Sequence, residues 1–306
     1  MAADQTAVPG TGNRRDLPPP VSDVLPTDTV ILTDLDGTLL DAHSYSWAAA
    51  APALAEIARL RIPLIFCTSK TRAEVEYLRR KIGNSDPFIT ENGGGIFIPH
   101  RYFPQHIGGA IRIGKYHCIA LGRPYREIVS AFEEVAAASG AQAVGFHQMS
   151  AREIAQNTGL PLRLAALARQ RDFDEPFFLA GEDEAAAAKF VALARARGLE
   201  VTRGGRFWHL HAGSDKGRAV RTLLELFHSP GRLRRRGLRT IALGDAANDL
   251  PMLTAASHPV LLPRPDGRYD PEVLRKLPQI EQAPAPGPRG WNVVVLRLLG
   301  THKASR

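Results

Sequence analysis

Three groups of polar residues have the side chains and the spacing needed for chemistry at one shared site. Each group follows a short apolar run, and the groups lie far apart in the sequence. Carboxylates that converge on one point repel each other and take up protons unless a cation lies between them. Ligand sets made only of oxygen suit Mg²⁺. The three groups are Asp34, Asp36 and Thr38; Thr68, Ser69 and Lys70; and Asp245, Asn248 and Asp249.

The apolar runs before these groups predict the strands that position them. Short continuous apolar runs are typical of a parallel sheet that is covered on both faces. Thr71 and Glu74 have the spacing of a capping box, which marks the start of a helix. In an α/β fold of this kind, the C-terminal strand ends face one crevice, where ligands bind. The expected strands are 30–33, 63–67, 88–90, 240–243 and 293–296, and the expected helices nearby are 46–60 and 72–82.

The segment 109–205 has the pattern of a separate α+β module, inserted between the two halves of the α/β core at 28–108 and 206–301. Residues 1–27 are rich in proline and lack apolar periodicity, so we expect a disordered extension there. In the inserted module we expect strands near 116–121, 143–146, 176–180 and 199–203, and helices near 125–138, 150–157, 161–170 and 183–197.

Composition narrows the class of protein without deciding its function. Only two cysteines occur, which excludes a disulfide scaffold and favours a reducing cytoplasm. No stretch approaches the roughly 20 apolar residues of a membrane span, and the polar N-terminus lacks the apolar core of a signal peptide. Lys and Arg number 39 against 31 Asp and Glu, a net charge of +8. This excess of positive charge is compatible with nucleic acid or with small anions as partners.

Four motifs, in order, resemble those of the haloacid dehalogenase (HAD) superfamily of phosphohydrolases. The segment from Asp34 to Thr38 resembles the first motif, and Thr68 at a strand end is similar to the second. Lys216, in a Ser-Asp-Lys-Gly segment that opens a helix, resembles the third, and the segment 244–249 resembles the fourth. The resemblance implies a three-layer, Rossmann-like HAD core with the inserted α+β module as its cap, a domain that sets substrate specificity.

Further segments resemble the mannosyl-3-phosphoglycerate phosphatase family, and this resemblance extends over about 28–300. It implies hydrolysis of mannosyl-3-phosphoglycerate to phosphate and mannosylglycerate, a compatible solute. The glucosyl analogue stays open, because nothing in one sequence separates the two epimers. The segments are Cys-Thr-Ser-Lys-Thr at 67–71, Phe-Ile-Thr-Glu-Asn-Gly-Gly-Gly at 88–95, Arg-Asp-Phe-Asp-Glu-Pro-Phe at 171–177 and Gly-Gly-Arg-Phe-Trp-His-Leu at 204–210.

The HAD resemblance also implies a mechanism through an aspartyl-phosphate. Asp34 is the expected nucleophile, and Asp36 the acid that protonates the leaving oxygen and then activates water. Mg²⁺ is expected on the Asp34 and Asp245 side chains and the Asp36 backbone carbonyl. Phosphate is expected to contact Thr68, Ser69 and Lys216, while Asn248 and Asp249 orient Asp245 and Lys216 or a metal-bound water.

Residues near the expected cap are candidates for binding the part of the substrate outside its phosphate group. Arg171 has the planar guanidinium that pairs with a carboxylate, and Glu175 offers an acceptor to sugar hydroxyls. The glycines after Asn92 allow a close approach of backbone to ligand. The full set of expected substrate contacts is Lys70, Arg72, Glu91, Asn92, Gly93, Arg171 and Glu175.

Two other classes of function stay open at this point. A sugar phosphomutase is an isomerase that would keep the phosphoryl group within the site, and a non-enzymatic protein would only bind anions or nucleic acid. Five arginines at 232–239 could contact nucleic acid, but no nucleic-acid-binding motif accompanies them, so we expect a solvated connection. His209 and His211 alternate along a predicted strand without a third nitrogen or sulfur ligand nearby, which favours a strand-face pair over zinc. We expect no nucleic-acid or membrane partner, and oligomeric state stays open.

Overall fold

The computed structural model describes residues 29–181, 184–203, 207–227 and 237–300 of the chain. Within them the backbone forms two β-sheets, one of nine strands and one of four. The expected extension at 1–27 and most of the arginine-rich stretch at 232–239 lie outside the described residues. Among the described helices, none is both long enough and apolar enough to cross a membrane.

The nine-stranded sheet is the central layer of the core. Its strands are β1 (Thr29–Thr33), β2 (Leu64–Cys67), β3 (Phe88–Thr90), β4 (Gly95–Pro99), β5 (Ile111–Ile113), β6 (Tyr116–Ala120), β11 (Arg239–Gly244), β12 (His258–Leu261) and β13 (Glu281–Gln282). Their order across the sheet is β13-β12-β11-β1-β2-β3-β4-β6-β5. The strands from β13 to β3 are parallel, and the last three run antiparallel to their neighbours. The residues that follow β11, β1 and β2 therefore meet at one edge of the sheet.

Helices cover both faces of this sheet, which confirms the predicted three-layer α/β core. Side chains alternate along β1, so Ile31 packs against one helical layer and Leu32 against the other. The Thr71–Glu74 capping box begins α2, as predicted. The first layer holds α1 (Ala51–Leu60), α2 (Arg72–Ile82) and α10 (Gly287–Leu298), and the second holds α7 (Lys216–Phe227), α8 (Leu250–Thr254) and α9 (Pro271–Lys276).

The apolar run at 293–296, predicted as a strand, is helical and lies within α10. Trp291, Val294 and Val295 are buried against the core, while Val293 is 39% exposed. The indole of Trp291 also donates a hydrogen bond to Thr33 of β1. This one-sided burial has the helical period, so packing against the sheet overrides the strand propensity of the valines.

A smaller antiparallel sheet belongs to the inserted segment and confirms its α+β character. Its order is β7-β8-β10-β9, formed by β7 (Ala143–Gly145), β8 (Asp174–Leu179), β9 (Glu200–Arg203) and β10 (Trp208–His211). One face is covered by α3 (Tyr125–Ser139) and α6 (Glu184–Ala196). Phe178 on the other face packs in a cluster with α4 (Ala151–Thr158) and α5 (Leu162–Ala168).

Two strand assignments differ from the expected domain boundaries. The segment 111–120, expected in the inserted module, forms β5 and β6 at the edge of the core sheet. Trp208–His211, expected in the core, pairs with β8 and β9 of the small sheet. Backbone pairing decides which sheet a strand joins, and that pairing spans long sequence separations. We therefore propose that the inserted domain runs from about residue 122 to about residue 213.

Candidate active site

Carboxylates from distant parts of the chain meet at the C-terminal edge of the core sheet. Asp34 follows β1, and Asp245 follows the neighbouring parallel strand β11. Asp249 comes from the short helix Ala247–Asp249 just beyond β11. Carboxylate oxygens of these three residues lie within 4.8 Å of one another. Parallel pairing thus brings together side chains that are more than 200 positions apart.

Lys216 lies in the middle of this cluster, at the first position of α7 and almost completely buried. Its ammonium group is 2.9 Å from Oδ1 of Asp34 and 2.7 Å from Oδ1 of Asp249. The other oxygen of Asp249 accepts backbone N–H groups of Asp245 at 3.0 Å and Ala246 at 3.3 Å. Both oxygens of Asp249 are therefore engaged, so this residue can position Lys216 and the Asp245 backbone.

The buried negative charge in this cluster exceeds what Lys216 neutralises. Burial raises the pKa of Asp34 well above its ordinary value, and the nearby Asp249 and Asp245 add to the rise. Burial, together with Asp249, raises the pKa of Asp245 to about 7. Burial alone would lower the pKa of Lys216, but Asp249 and Asp34 hold it above its usual range. Carboxylates outnumber the one ammonium group in this cluster, so a hard divalent cation such as Mg²⁺ fits there.

Gly37 and Thr38 shape the surroundings of Asp245. The Thr38 hydroxyl donates to Oδ1 of Asp245 at 3.0 Å. Gly37 has a φ of +77°, and a Cβ built there would lie 2.6 Å from Oδ2 of Asp245. Thr38 was recognised in the sequence as part of the first motif, but its contact with Asp245 crosses to another strand, and no local pattern predicts that.

The segment after β2 lies beside this cluster. Thr68 is buried, its Oγ1 accepts the backbone N–H of Lys70 at 3.2 Å, and its carbonyl accepts the N–H of Asn92 at 3.0 Å. The carbonyl of Ser69 accepts a hydrogen bond from Arg171 at 3.3 Å. The phosphate contacts expected of Thr68 and Ser69 stay predictions, and both residues lie on the edge where they were expected.

Asp36 and Lys70 form an ion pair at the same edge. The ammonium of Lys70 is 2.8 Å from Oδ2 of Asp36 and 3.6 Å from Oε1 of Glu74. The side chain of Asp36 is 40% exposed, whereas that of Asp34 is 9% exposed. Oδ1 of Asp36 has no hydrogen-bond partner among the described residues. The two carboxylates of the first motif thus have different surroundings, as separate roles as nucleophile and acid require.

Three of the residues expected to contact substrate also connect the two domains. Glu91 is fully buried and accepts backbone N–H groups of Asp172 at 2.9 Å and Phe173 at 2.7 Å. Arg72 pairs with Asp172 at 3.3 Å and with Glu76 of its own helix, also at 3.3 Å. Burial raises the pKa of Glu91 to about 8, although the nearby Arg171 opposes the rise.

Arg171 is the third of these connecting residues. Its guanidinium is 2.8 Å from Oδ2 of Asp174 and 3.6 Å from Oε2 of Glu91, and its side chain is only 4% exposed. Carboxylates of the protein already pair with this guanidinium, and the expected contact of Arg171 with a substrate carboxylate stays a prediction.

Glu175 lies on the face of β8 that points away from the core. Two positions further on, Phe177 packs under α3 and α6, so Glu175 is on the same covered face. It is fully buried, accepts the phenol O–H of Tyr125 and lies 2.6 Å from Nδ1 of His147. The expected sugar contact of Glu175 stays a prediction.

Asn92, Gly93 and Asn248 lie at the rim of the carboxylate cluster. The amide nitrogen of Asn248 is 3.5 Å from the amide oxygen of Asn92, and its expected role in orienting Asp245, Lys216 or a metal-bound water stays a prediction. Gly93 has a φ of +97°, and a Cβ there would lie 2.3 Å from the carbonyl oxygen of Asp215. The lack of a side chain at Gly93 therefore lets this segment approach the backbone of Asp215 and Lys216 closely. The close approach of Gly93 to a ligand, expected from the sequence, stays a prediction.

Comparison with known proteins agrees with this architecture. Residues 31–103 match the family of haloacid dehalogenase-like hydrolases. A haloacid dehalogenase-like hydrolase from Bacteroides thetaiotaomicron superposes with a TM-score of 0.61 at 18% identity, covering 88% of this chain and 99% of the other. A sugar phosphatase of HAD subclass IIB superposes with a TM-score of 0.58 at 16% identity, covering 89% and 99%. Fold and site together define the class as a HAD-like hydrolase with the subclass IIB fold.

The relatives that are similar in sequence form a narrower group within this class. A glucosyl-3-phosphoglycerate/mannosyl-3-phosphoglycerate phosphatase of Methanococcoides burtonii is 45% identical, covering 89% of this chain and 97% of the relative. One of the same description from Persephonella marina is 40% identical, covering 88% and 97%. The mannosyl-3-phosphoglycerate phosphatase of Pyrococcus furiosus is 36% identical, covering 76% and 90%. The chain belongs to this phosphatase family.

Proposed function

We propose that this protein hydrolyses glucosyl-3-phosphoglycerate and mannosyl-3-phosphoglycerate with the help of Mg²⁺. The products are the glycosylglycerate and phosphate. Two of the relatives described above are named for both substrates, which supports including the glucosyl compound beside the mannosyl compound. The observation that carries the proposal is the largely buried group of Asp34, Asp245, Asp249 and Lys216 at the strand ends.

In this proposal Asp34 is the nucleophile. One of its carboxylate oxygens attacks phosphorus, and the bond from phosphorus to the glycerate oxygen breaks, which gives an aspartyl-phosphate. Asp36 donates a proton to the departing oxygen. It then accepts a proton from the water that attacks the phosphorus of the aspartyl-phosphate, and phosphate leaves with Asp34 regenerated. Lys216, 2.9 Å from Asp34, holds the nucleophile in place and supplies positive charge to the phosphoryl oxygens.

The side chains of Asp34 and Asp245 and the backbone carbonyl of Asp36 would hold Mg²⁺. When bound there, Mg²⁺ supplies positive charge that offsets the negative charge of the phosphate and the carboxylates. Thr38 and Asp249 keep Asp245 in position through the hydrogen bonds described above. Thr68 and Ser69 lie at the neighbouring strand end and complete the proposed phosphate site.

The inserted domain is proposed to recognise the leaving group and to keep water out of the site until that group departs. Its link to the core supports this role. Glu91 and Arg72 contact the segment at 172–173 from the core side, so movement of the inserted domain is coupled to the site edge.

The proposal is tested by measuring phosphate release from the two glycosyl-3-phosphoglycerates and from other sugar phosphates, with Mg²⁺ and with EDTA. Asp34→Asn should release no phosphate, because it removes the carboxylate that forms the intermediate. Asp266→Asn is a matched control, since this aspartate is exposed and lies outside the cluster. Activity of Asp34→Asn equal to wild type, or formation of a phosphorylated isomer in place of phosphate, would contradict the proposal.

A further inference from the structure

One segment highlighted by the sequence, Gly-Gly-Arg-Phe-Trp-His-Leu at 204–210, has no role in the chemistry described so far. Its last residues form β10. Trp208 and Leu210 pack in the apolar cluster that α3 and α6 form with the small sheet. Because side chains alternate along a strand, His209 lies on the opposite face, the one that Arg171 links to the core.

His209 is connected to the expected phosphate site by a short series of contacts. Its Nδ1 is 2.8 Å from Oδ2 of Asp174, and the same oxygen is 2.8 Å from the guanidinium of Arg171. Arg171 in turn donates to the carbonyl of Ser69, which follows Thr68. His209 therefore lies on the inner face of the inserted domain, two hydrogen-bonded side chains away from the phosphate site.

Asp174 sets the orientation of the imidazole. Asp174 is fully buried, and burial would raise its pKa, but His209 and Arg171 bring it down to about 2. The contact between Asp174 and Nδ1 fixes the ring, so Nε2 on its other side points away from that carboxylate. Nε2 of His209 makes no hydrogen bond or ion pair with any described residue, and 16% of the side chain is exposed.

Four cationic side chains among the described residues of this region have carboxylate partners. Lys70 pairs with Asp36, Arg171 with Asp174, and Lys216 with Asp34. Arg72 is likewise paired, with Asp172 and Glu76. A carboxylate on the substrate would have to displace one of these pairs or contact a polar atom without such a partner, and Nε2 of His209 is one among the described residues.

We propose that His209, held by Asp174, binds the carboxylate of the glycerate part of the substrate through Nε2. This inference rests on the proposed function, since it assigns one residue to one group of that substrate. It gives His209 a role in specificity, because only leaving groups with an anionic substituent beside the phosphorylated carbon would gain from the contact.

The test compares glucosyl-3-phosphoglycerate with an analogue in which the carboxylate is reduced to an alcohol. His209→Ala and His209→Gln should raise KM for the natural compound about 10- to 100-fold, the usual effect of losing a hydrogen bond to a charged group. The loss should be much smaller on the reduced analogue and on p-nitrophenyl phosphate, because neither compound carries the carboxylate. His106→Ala, at an exposed histidine of the core, serves as the control and should behave as wild type throughout.

Two results would overturn the carboxylate role. One is an equal loss on the natural compound and on the reduced analogue, which is the result that a purely structural role for His209 predicts. The other is an unchanged KM for the natural compound in both variants. Failure of the proposed function itself looks different, because the wild-type enzyme would then release no phosphate from either glycosyl-3-phosphoglycerate while still hydrolysing p-nitrophenyl phosphate.

Discussion

Replacing Gly93 with alanine tests whether the backbone before Lys216 sets the geometry of the nucleophile. Gly93 has a φ of +97°, and a Cβ there would lie 2.3 Å from the carbonyl oxygen of Asp215 and 2.7 Å from the backbone nitrogen of Lys216. Both neighbours are backbone atoms, so no side-chain rotation relieves the overlap. The chain around Lys216 has to move.

The expected cost has two parts. The left-handed conformation costs an alanine about 1–2 kcal/mol. Overpacking of a close contact costs about 1–3 kcal/mol more. Gly93→Ala should therefore lower the free energy of unfolding by about 2–5 kcal/mol. Because Lys216 contacts Asp34, a displacement approaching 1 Å should also lower kcat by up to about 100-fold.

Gly83 provides the matched control. Its φ is +81°, and a Cβ there would meet nothing within 4 Å. Gly83→Ala should lower the free energy of unfolding by about 1–2 kcal/mol and leave kcat unchanged. The measurements are urea denaturation and Mg²⁺-dependent hydrolysis of p-nitrophenyl phosphate. The reasoning is refuted if both variants lose the same stability, within about 0.5 kcal/mol, and keep wild-type kcat.

Three further predictions concern the carboxylate cluster and the link between the domains. Burial raises the pKa of Asp245 from 3.8 to about 7, so the metal-free folded state binds more protons than the unfolded state over this range. The free energy of unfolding of the metal-free protein should therefore fall as the pH rises from about 4 to about 7. Asp245→Asn should make this free energy less dependent on pH in urea titrations, and an unchanged pH dependence would contradict the prediction. Thr38→Val removes a hydrogen bond to Asp245 and should raise the Mg²⁺ concentration for half-maximal activity about 10-fold or more, unlike the exposed Thr254→Val. Glu91→Gln weakens the hydrogen bonds to the backbone at 172–173 and should lower the free energy of unfolding by about 1–3 kcal/mol. Proteolysis of that segment should become faster, and a rate equal to that of wild type would contradict the prediction.

The strands that carry the site were predictable because their patterns are local. Two apolar runs predict buried strands that end in polar residues. They are 30–33, followed by Asp34 and Asp36, and 240–243, followed by Asp245. The capping box of Thr71 and Glu74 is also a local signal, and the structure confirms it. The valine run at 293–296 was misjudged because its helical burial depends on the sheet it packs against.

The partners that the candidate substrate contacts have within the protein could not be predicted, since charge alone does not show which partner a side chain has. Arg171 can pair with an anion and Glu91 can accept hydrogen bonds. In the structure Arg171 pairs with a carboxylate of the protein, and Glu91 accepts backbone N–H groups. Glu175 lies one position after Asp174, and the alternation of β8 turns the two carboxylates to opposite faces. Only the packing of Phe177 under α3 and α6 shows which face is which.

The sequence by itself determined the chemistry that is available: ordered acidic motifs at strand ends, a lysine at a helix start and a fold that gathers them. Tertiary structure decided which charges pair. Asp34, Asp249 and Lys216 form one buried network, and Asp36 pairs with Lys70. The histidine at 209, which the sequence left as one of a strand-face pair, contacts Asp174 on the inner face of the inserted domain. The physical reason is that local side-chain patterns specify strands and helices, whereas ion pairing depends on distances of a few ångströms between residues far apart in the chain.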